Sequence, residues 1–277
     1  MRVRLNQIIQ GDALKELKAL PNNFAQAIIA DPPYYNVLKE DWDTQWEAAN
    51  EYLEWSQVWV SQCLRILKED GLFFCFGQLG KREHIFIHLM SQLCTNYKFH
   101  DLIIWDRTVG YNERRDSFTP AYEMILVLRK SEKVKFLKDA VREPYDGETI
   151  ELYFRDKRYK DKQARLLHLT KGKYATNIFR IPSLKGASKE KCGHPSQKPL
   201  ELIEKLILCS TEPKDIVLDP FLGSGTTALS AEKLGRNWIG IEKNPQYVQI
   251  AEKRLADLRG LFNHIEHQKI LTPTQNQ

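Results

Sequence analysis

Asp31-Pro32-Pro33-Tyr34 closes the apolar run Ala27-Ile28-Ile29-Ala30, placing a carboxylate, two rigid prolyl units and an aromatic face within four residues. That set suits the exocyclic amine of a nucleobase. Such a nitrogen is planar and poorly nucleophilic, because its lone pair is delocalised into the ring. Two acceptors aimed at its two N–H bonds, the Asp31 carboxylate and the Pro32 carbonyl, would favour a tetrahedral nitrogen and free the lone pair for an electrophile. Pro32 and Pro33 fix φ, so that carbonyl is held in place before a substrate arrives. Tyr34 offers a face for a base drawn out of its stack. Taken alone, the tetrapeptide reads better as an exposed turn after a strand, which Asp and Pro favour.

A second constellation changes that balance. Leu218-Asp219-Pro220-Phe221-Leu222-Gly223-Ser224-Gly225-Thr226-Thr227-Ala228 follows an apolar run, and Glu242 ends the next one. Glycines let the backbone approach a ligand closely, and a carboxylate at the second strand end suits the two hydroxyls of a ribose. Gly223, Gly225 and Ala228 satisfy the dinucleotide pattern, so this segment alone permits hydride transfer. No Gly-Lys-Ser/Thr closes it, which excludes a phosphate-cradling loop of the NTPase type.

The elements that must hold these groups alternate. Short apolar runs predict strands over 27–30, 71–77, 102–105, 124–128, 216–218 and 238–241. Helical spacing predicts helices over 52–67, 84–93, 199–209 and 226–234, with a last one to about Leu258. Alternation of this kind means a mostly parallel sheet covered on both faces. Only 58 residues follow Asp219, too few for a complete doubly wound sheet. The missing strands must come from the N-terminal half, which puts Asp31 at a strand end beside the glycine loop. An ordinary dehydrogenase would start a continuous nucleotide domain with that loop, so the hydride reading is disfavoured.

Composition sets the outer limits. The 277 residues are 42% hydrophobic and 28% charged, which excludes a disordered chain. No apolar run approaches the roughly 20 residues of a membrane helix. Met1 to Gln10 lacks the apolar core of a secretory signal, and the five cysteines form no Cys-x-x-Cys pair, so a reducing cytoplasm is expected, without a structural zinc. Positive charge is concentrated between Arg129 and Cys192, with 18 Lys+Arg against 9 Asp+Glu; the remainder holds 23 against 27. Arg155, Lys157, Arg158, Lys160, Lys162 and Arg165 form its densest stretch, with Tyr153, Phe154, Tyr159, Tyr174 and Phe179 interleaved. Clustered cations are the footprint of a polyanion partner, nucleic acid above all, although Asp156 and Asp161 also fit a solvated charged helix. Arg107 to Arg115 reads as a mobile loop near that partner. Trp42, Trp46, Trp55 and Trp59 recur near one helical turn apart, a spacing typical of core packing, and His84, His88, His100 and His168 read as structural or surface residues.

At its two motifs the sequence resembles the S-adenosylmethionine-dependent DNA amino-methyltransferases, and among them the permuted β group of adenine-N6 enzymes of bacterial restriction–modification systems. The resemblance runs from about Ile8 to Leu258. It implies a Rossmann-like, doubly wound, circularly permuted α/β methyltransferase sheet. Residues 1–130 would form the target-amine half, 131–192 a basic target-recognition insertion, 193–260 the cofactor half and 261–277 a tail. Asp31, Pro32, Pro33 and Tyr34 fall on the family's catalytic tetrapeptide. Gly11-Asp12-Ala13-Leu14 is similar to its opening block, whose acidic residue reaches the cofactor adenine. His194-Pro195-Ser196-Gln197-Lys198-Pro199 is similar to the block near the methionine end of the cofactor. The implied cofactor contacts are Asp12, Asp31, His194, Lys198, Asp219, Phe221, Gly223, Gly225, Thr226 and Glu242. Asp41-Trp42-Asp43 and Ile104-Trp105-Asp106 also match. Tyr35 departs from the pattern, since many members carry Asn there and here Asn36 is displaced by one. The implied partner is double-stranded DNA; a cognate restriction endonuclease and a homodimer are further partners the family allows, and no membrane or metal is expected. Cytosine-N4 methylation is the alternative, disfavoured because those enzymes usually carry Ser at the position of Asp31. A C5-cytosine route needs a Cys nucleophile, usually after Pro, and none of the five follows a proline. A non-enzymatic DNA-binding module would leave Asp31, the glycine loop and Glu242 without a role.

Overall fold

The computed structural model describes residues 3–79, 84–110, 113, 115–158 and 160–271. Its centre is an eight-stranded sheet in the order β1-β8-β7-β2-β3-β5-β4-β6. The strands are β1 (Gln7–Gln10), β2 (Ala25–Ala30), β3 (Leu67–Gly77), β4 (Lys98–Asp106), β5 (Tyr122–Arg129), β6 (Ile178–Arg180), β7 (Ile216–Asp219) and β8 (Asn237–Glu242). Every pairing is parallel except those of β5, which runs against both β3 and β4. All strands but β5 therefore end on one edge, and β5 begins there.

Helices cover both faces, as a parallel sheet requires. On one side lie α1 (Ala13–Ala19), α2 (Ala49–Ile66) and α3 (Ile85–Asn96). On the other lie α6 (Leu200–Ser210), α7 (Thr226–Lys233) and α8 (Pro245–Leu271). Strand alternation divides the core between them. Ile28, Phe73, Cys75 and Leu126 face the first layer with Trp59, whereas Ile29, Phe74, Phe76 and Ile125 face the second with Leu206. All six residues of β2 are buried, which is why 27–30 reads as a continuous apolar run, and the one polar residue, Gln26, is bonded to Asp70. Each fully buried side chain of this size contributes roughly 1.5–3 kcal/mol.

The stretch 131–192 is not wholly a separate insertion. Its strand β6 joins the sheet beside β4. What stands off is a helical hairpin of α4 (Gly147–Arg155) and α5 (Lys162–Thr170), capped by the carboxylates of Asp146 and Asp161. Its neck is clamped by the Glu143–Lys173 bridge, by Arg142 Nη1 on the Gly172 carbonyl at 2.7 Å, and by Lys205 on Glu143 at 2.6 Å. Sequence patterning leaves β1, α1, β6, α4 and α5 unassigned. β1 is an edge strand only half buried, and α4 buries no residue at all, so neither shows a clean apolar period. The last helix, expected to end at about Leu258, runs on to Leu271, into the stretch expected as a tail from 261. Along α8, Leu255 is buried and Leu261 is exposed. Among the described residues no helix is long and apolar enough to cross a membrane.

Candidate functional site

A cavity of about 440 Å³ opens at the edge where the parallel strands end, between β7 and β2. Asp31-Pro32-Pro33-Tyr34 follows β2, Asp219 ends β7, Glu242 ends β8 and Asp12 follows β1; all of them line it. The register explains the convergence, since Ile28 sits beside Leu218, Asp219 beside Gly240, and Gln10 beside Glu242.

The cofactor-type half is built largely from backbone. Glu242 takes the Gly223 N–H at 2.7 Å on one carboxylate oxygen and the Asn244 N–H at 2.7 Å on the other. Asp219 accepts from the Phe221 N–H at 2.9 Å and so folds the loop back on its own strand. Gly223 and Gly225 have φ of +52° and +83°, a region unfavourable to other residues. A Cβ on Gly225 would lie 2.7 Å from Ala251 Cβ, and one on Gly223 would lie 3.1 Å from His194 Nε2. Burial pushes the Asp219 carboxyl up to about 7 and raises that of Glu242 as well. Asp12 caps α1 through the Leu14 N–H and lies 3.4 Å from Lys243 Nζ. The wall opposite is aromatic: His194 stacks on Trp42 at 6.4 Å and meets Tyr247 edge-on at 4.3 Å. Burial, with Lys198, Lys191 and Arg254 nearby, drives the His194 pKa down to about 4, so its ring is neutral at pH 7.

The other half is built from charges. Lys198 Nζ donates to both oxygens of Asp31, at 2.9 and 2.7 Å, and lies 3.1 Å from the Tyr34 hydroxyl and 3.4 Å from Glu123 Oε2. The Tyr34 hydroxyl donates to Asp31 Oδ1 and lies 3.2 Å from Glu123 Oε2. Arg107 Nη1 completes the chain on Glu123 Oε1 at 3.4 Å. Burial, with Asp31 and Glu123 beside it, raises the Tyr34 phenol far above its usual value, so it remains a donor. The loop after Tyr34 is wound around the buried Asp43, whose carboxylate accepts the N–H groups of Tyr34, Val37 and Leu38. Tyr35 and Asn36 both adopt φ of +58° there. A tyrosine in that conformation is strained where an asparagine would be tolerated, and Tyr35 is compensated by packing on Tyr52 at 5.6 Å. Tyr52 in turn gives its hydroxyl to the Pro33 carbonyl at 2.8 Å. No described residue donates to the Pro32 carbonyl.

The structure thus brings Asp12, Asp31, Pro32, Pro33, Tyr34, His194, Lys198, Asp219, Phe221, Gly223, Thr226 and Glu242 to one cavity, while Gly225 turns the loop just behind it. Lys198, expected among the cofactor contacts, lines the cavity with its ammonium engaged on Asp31, Tyr34 and Glu123. Trp42 and Trp55 line the cavity, whereas Trp46 and Trp59 pack in an aromatic cluster with Tyr52, Phe73 and Phe221. Glu123 escapes sequence reading, although a lone acid opening the buried run Met124–Leu128 is a signal. Asp43 and Tyr247 also escape as functional groups. Arg107, expected in a loop facing a partner, turns inward to Glu123 and to the Pro120 carbonyl at 3.2 Å; Tyr111, Asn112 and Arg114 of that loop lie outside the described residues.

None of the six basic candidates reaches the cavity. All sit on the α4–α5 hairpin, and several are occupied locally: Arg155 pairs with Glu151, Arg158 with Asp156, and Lys162 donates to the Phe154 carbonyl. Arg158, Lys160 and Arg165 line a shallow cationic hollow beside His168. Tyr159 lies outside the described residues.

The family model described as DNA methylase, covering N6 and N4 enzymes, matches residues 25–253. The chain is 33% identical over 279 residues to the type II methyltransferase M.HinfI of Haemophilus influenzae, covering 95% of this chain and 71% of that protein. It is 32% identical to the DNA adenine methyltransferase YhdJ of Escherichia coli (strain K12), covering 90% of this chain and 82% of that one. Among solved structures, the complex of M1.HpyAVI with S-adenosylmethionine superposes with a TM-score of 0.60 at 28% identity, covering 90% and 98% of the two chains.

Proposed function

Since the chain belongs to the DNA methylase family of N6 and N4 enzymes, an assignment resting on the match over residues 25–253, we propose the following reaction and division of labour. The chain methylates the N6 amino group of adenine in duplex DNA, with S-adenosylmethionine as donor. The observation that carries this reading is the meeting of Asp31-Pro32 and the Gly223–Glu242 loop in one cavity at adjacent strand ends.

The cavity fits the donor. Its volume lies in the range of small-molecule sites, the glycine at 223 leaves backbone open to close approach, and Glu242 and Asp12 offer carboxylates to ribose and adenine. Neutral His194, with Trp42 and Tyr247, offers aromatic surface without added positive charge, which suits a cationic ligand. S-adenosylmethionine, when bound, supplies a methyl group on a sulfonium sulfur, which the amine nitrogen takes in an in-line displacement.

The residues of the other half prepare that nitrogen. Asp31 and the Pro32 carbonyl accept its two N–H bonds and draw it toward a pyramidal geometry. Tyr34, held at its hydroxyl, gives the flipped base a rigid surface to stack on. The buried Asp43 fixes the turn that carries them, so little is reorganised when the base arrives. Once N6 is methylated its surplus proton passes to the nearest acceptor, the Asp31 carboxylate.

The α4–α5 hairpin docks on duplex phosphates, supplying salt-sensitive affinity, and its clamped neck fixes its position relative to the cavity. Of its cations, Lys157 and Lys160 are the exposed pair best placed for phosphate. In keeping with the type II name its relatives carry, the chain would act in the cytoplasm alongside an endonuclease of the same recognition sequence. Incubation with methyl-labelled S-adenosylmethionine and unmethylated genomic DNA, followed by nucleoside mass spectrometry, tests the reading. N6-methyladenine is expected; N4-methylcytosine, or no labelled nucleoside, overturns it.

A further inference from the structure

A buried carboxylate, that of Glu123, and a partly exposed one, that of Asp31, face each other across the Tyr34 hydroxyl. Glu123 reaches it from β5, whose beginning lies at the ligand edge, and Asp31 from the end of β2. Two anions so placed repel each other, and burial makes Glu123 costly to keep charged. The cations that answer them are Lys198, between both, and Arg107, on the far side of Glu123. Lys198 is 6% exposed and Glu123 5%, so the contact between them is screened little by water, while Asp31, 22% exposed, opens to the cavity.

The loop that delivers Lys198 is built for precision. Gln197 is tied through its amide to the Glu190 carbonyl at 2.8 Å and to the Cys192 N–H at 2.9 Å. Glu190 Oε1 accepts the Leu200 N–H at 2.9 Å, and Pro199 starts α6 directly behind the lysine. Burial alone would lower the Lys198 pKa, but Asp31 and Glu123 together outweigh it and hold the ammonium charged.

Resting on the reading above, we propose that Lys198, itself braced by Glu123, is a positioning residue of the methyl-acceptor half: it fixes the Asp31 carboxylate in the rotamer that receives the target amine. An ionised carboxylate has about four lone-pair sites. Three are engaged, two on Oδ1 by Lys198 and Tyr34 and one on Oδ2 by Lys198, which leaves one site on Oδ2. That site and the Pro32 carbonyl then form the two-acceptor grip, with the carboxylate unable to rotate away. Glu123 supplies the second anionic anchor, without which the ammonium would keep Asp31, the Tyr34 hydroxyl and the ring of Phe76 at 5.2 Å.

The test separates positioning from cofactor binding and from folding. Lys198→Ala should slow single-turnover transfer about 100-fold or more, and Glu123→Gln about 10-fold, the scale of a misplaced reacting group. Calorimetry should find S-adenosylmethionine affinity within about twofold of wild type in both. Lys198→Ala also leaves a space with the shape of n-propylammonium. That cation should raise the melting temperature of Lys198→Ala in proportion to its concentration and leave wild type unmoved, and it should restore part of the transfer rate. Loss of S-adenosylmethionine affinity with the transfer rate preserved overturns the proposal and returns Lys198 to the cofactor side. Wild-type transfer rates in both variants overturn it as well. If Lys198→Ala does not fold, Glu123→Gln and Lys198→Met are decided by the same split between rate and affinity. A wild-type protein that labels no DNA overturns the functional reading instead, and the n-propylammonium shift then still reports on the lysine site.

Discussion

The two halves of the cavity solve one problem, rigid presentation of a reactant, with different materials. On the cofactor side a contiguous segment, 219–226, turns back on Asp219 and Glu242 through its own N–H groups. On the acceptor side four segments around residues 31, 107, 123 and 198 meet only because the strand order puts them at one edge. Backbone N–H donors hold the first shape on two carboxylate acceptors, Asp219 and Glu242. The second depends on two anions and two cations staying charged. The first half should therefore fail in affinity when damaged, and the second in rate.

Asp31→Ala is the sharpest way to break this contrast. Removing one preorganised group that touches the reacting atom typically costs roughly 10²–10³ in turnover. Transfer should fall by that much while calorimetry finds S-adenosylmethionine binding intact; a parallel loss of affinity would merge the two halves into one unit. Glu242→Ala is the complement. Losing charge-assisted hydrogen bonds of about 1.5 kcal/mol or more raises the dissociation constant for S-adenosylmethionine about 10-fold. At saturating cofactor the single-turnover rate should stay near wild type, and a rate loss at saturation would contradict the division.

The same contrast governs what the sequence discloses. Strand, glycine loop, helix and acid are neighbours in the chain, so the cofactor half is legible from one stretch of 25 residues, Leu218 to Glu242. Asp31-Pro32-Pro33-Tyr34 is legible as chemistry because its groups are also contiguous. Glu123 is not, since a single acid at a strand start acquires its role only from the reversed direction of β5. Lys198 is visible as part of a motif, yet its partner is 167 residues away, and the pairing follows from topology alone. The strands of the buried sheet announce themselves by unbroken apolar runs. The half-exposed β1 and the solvated α4 do not, because nothing forces their sequence into a period.

The hairpin offers a smaller test, since it lies outside both halves. Lys157→Ala with Lys160→Ala should weaken binding to any duplex to a similar degree and flatten the salt dependence of log K, by up to about 0.9 for each phosphate no longer neutralised. Cofactor affinity should not change. An unchanged salt slope would remove these lysines from the DNA interface, and a shift in cofactor affinity would show that the hairpin is coupled to the cavity.

In the wild type the smallest change expected lies in how stability responds to pH, because two opposed contributions cancel, and the variants that uncouple them probe how the cofactor half depends on ionisation. Burial raises Asp219 from its usual 3.8 to about 7, so the folded protein binds this proton more tightly than the unfolded chain. Its contribution is complete below about pH 4 and is lost as pH rises toward 7. His194 is shifted the other way, from 6.5 to about 4, so its contribution is complete above 6.5 and is lost as pH falls toward 4. Each shift corresponds to roughly 3–4 kcal/mol at the upper bound, and over the shared interval they oppose each other. Wild-type melting temperature should consequently vary little between about pH 4.5 and 6.5. Asp219→Asn leaves the histidine uncompensated, so its melting temperature should climb with pH across that interval. His194→Gln leaves Asp219, seconded by the raised Glu242, and its melting temperature should fall as pH rises. Scanning calorimetry of the three proteins at four pH values is sufficient. Parallel profiles would mean that neither group keeps its proton preference in the folded protein, and that the cofactor half is wetter and less fixed than its backbone hydrogen bonds imply.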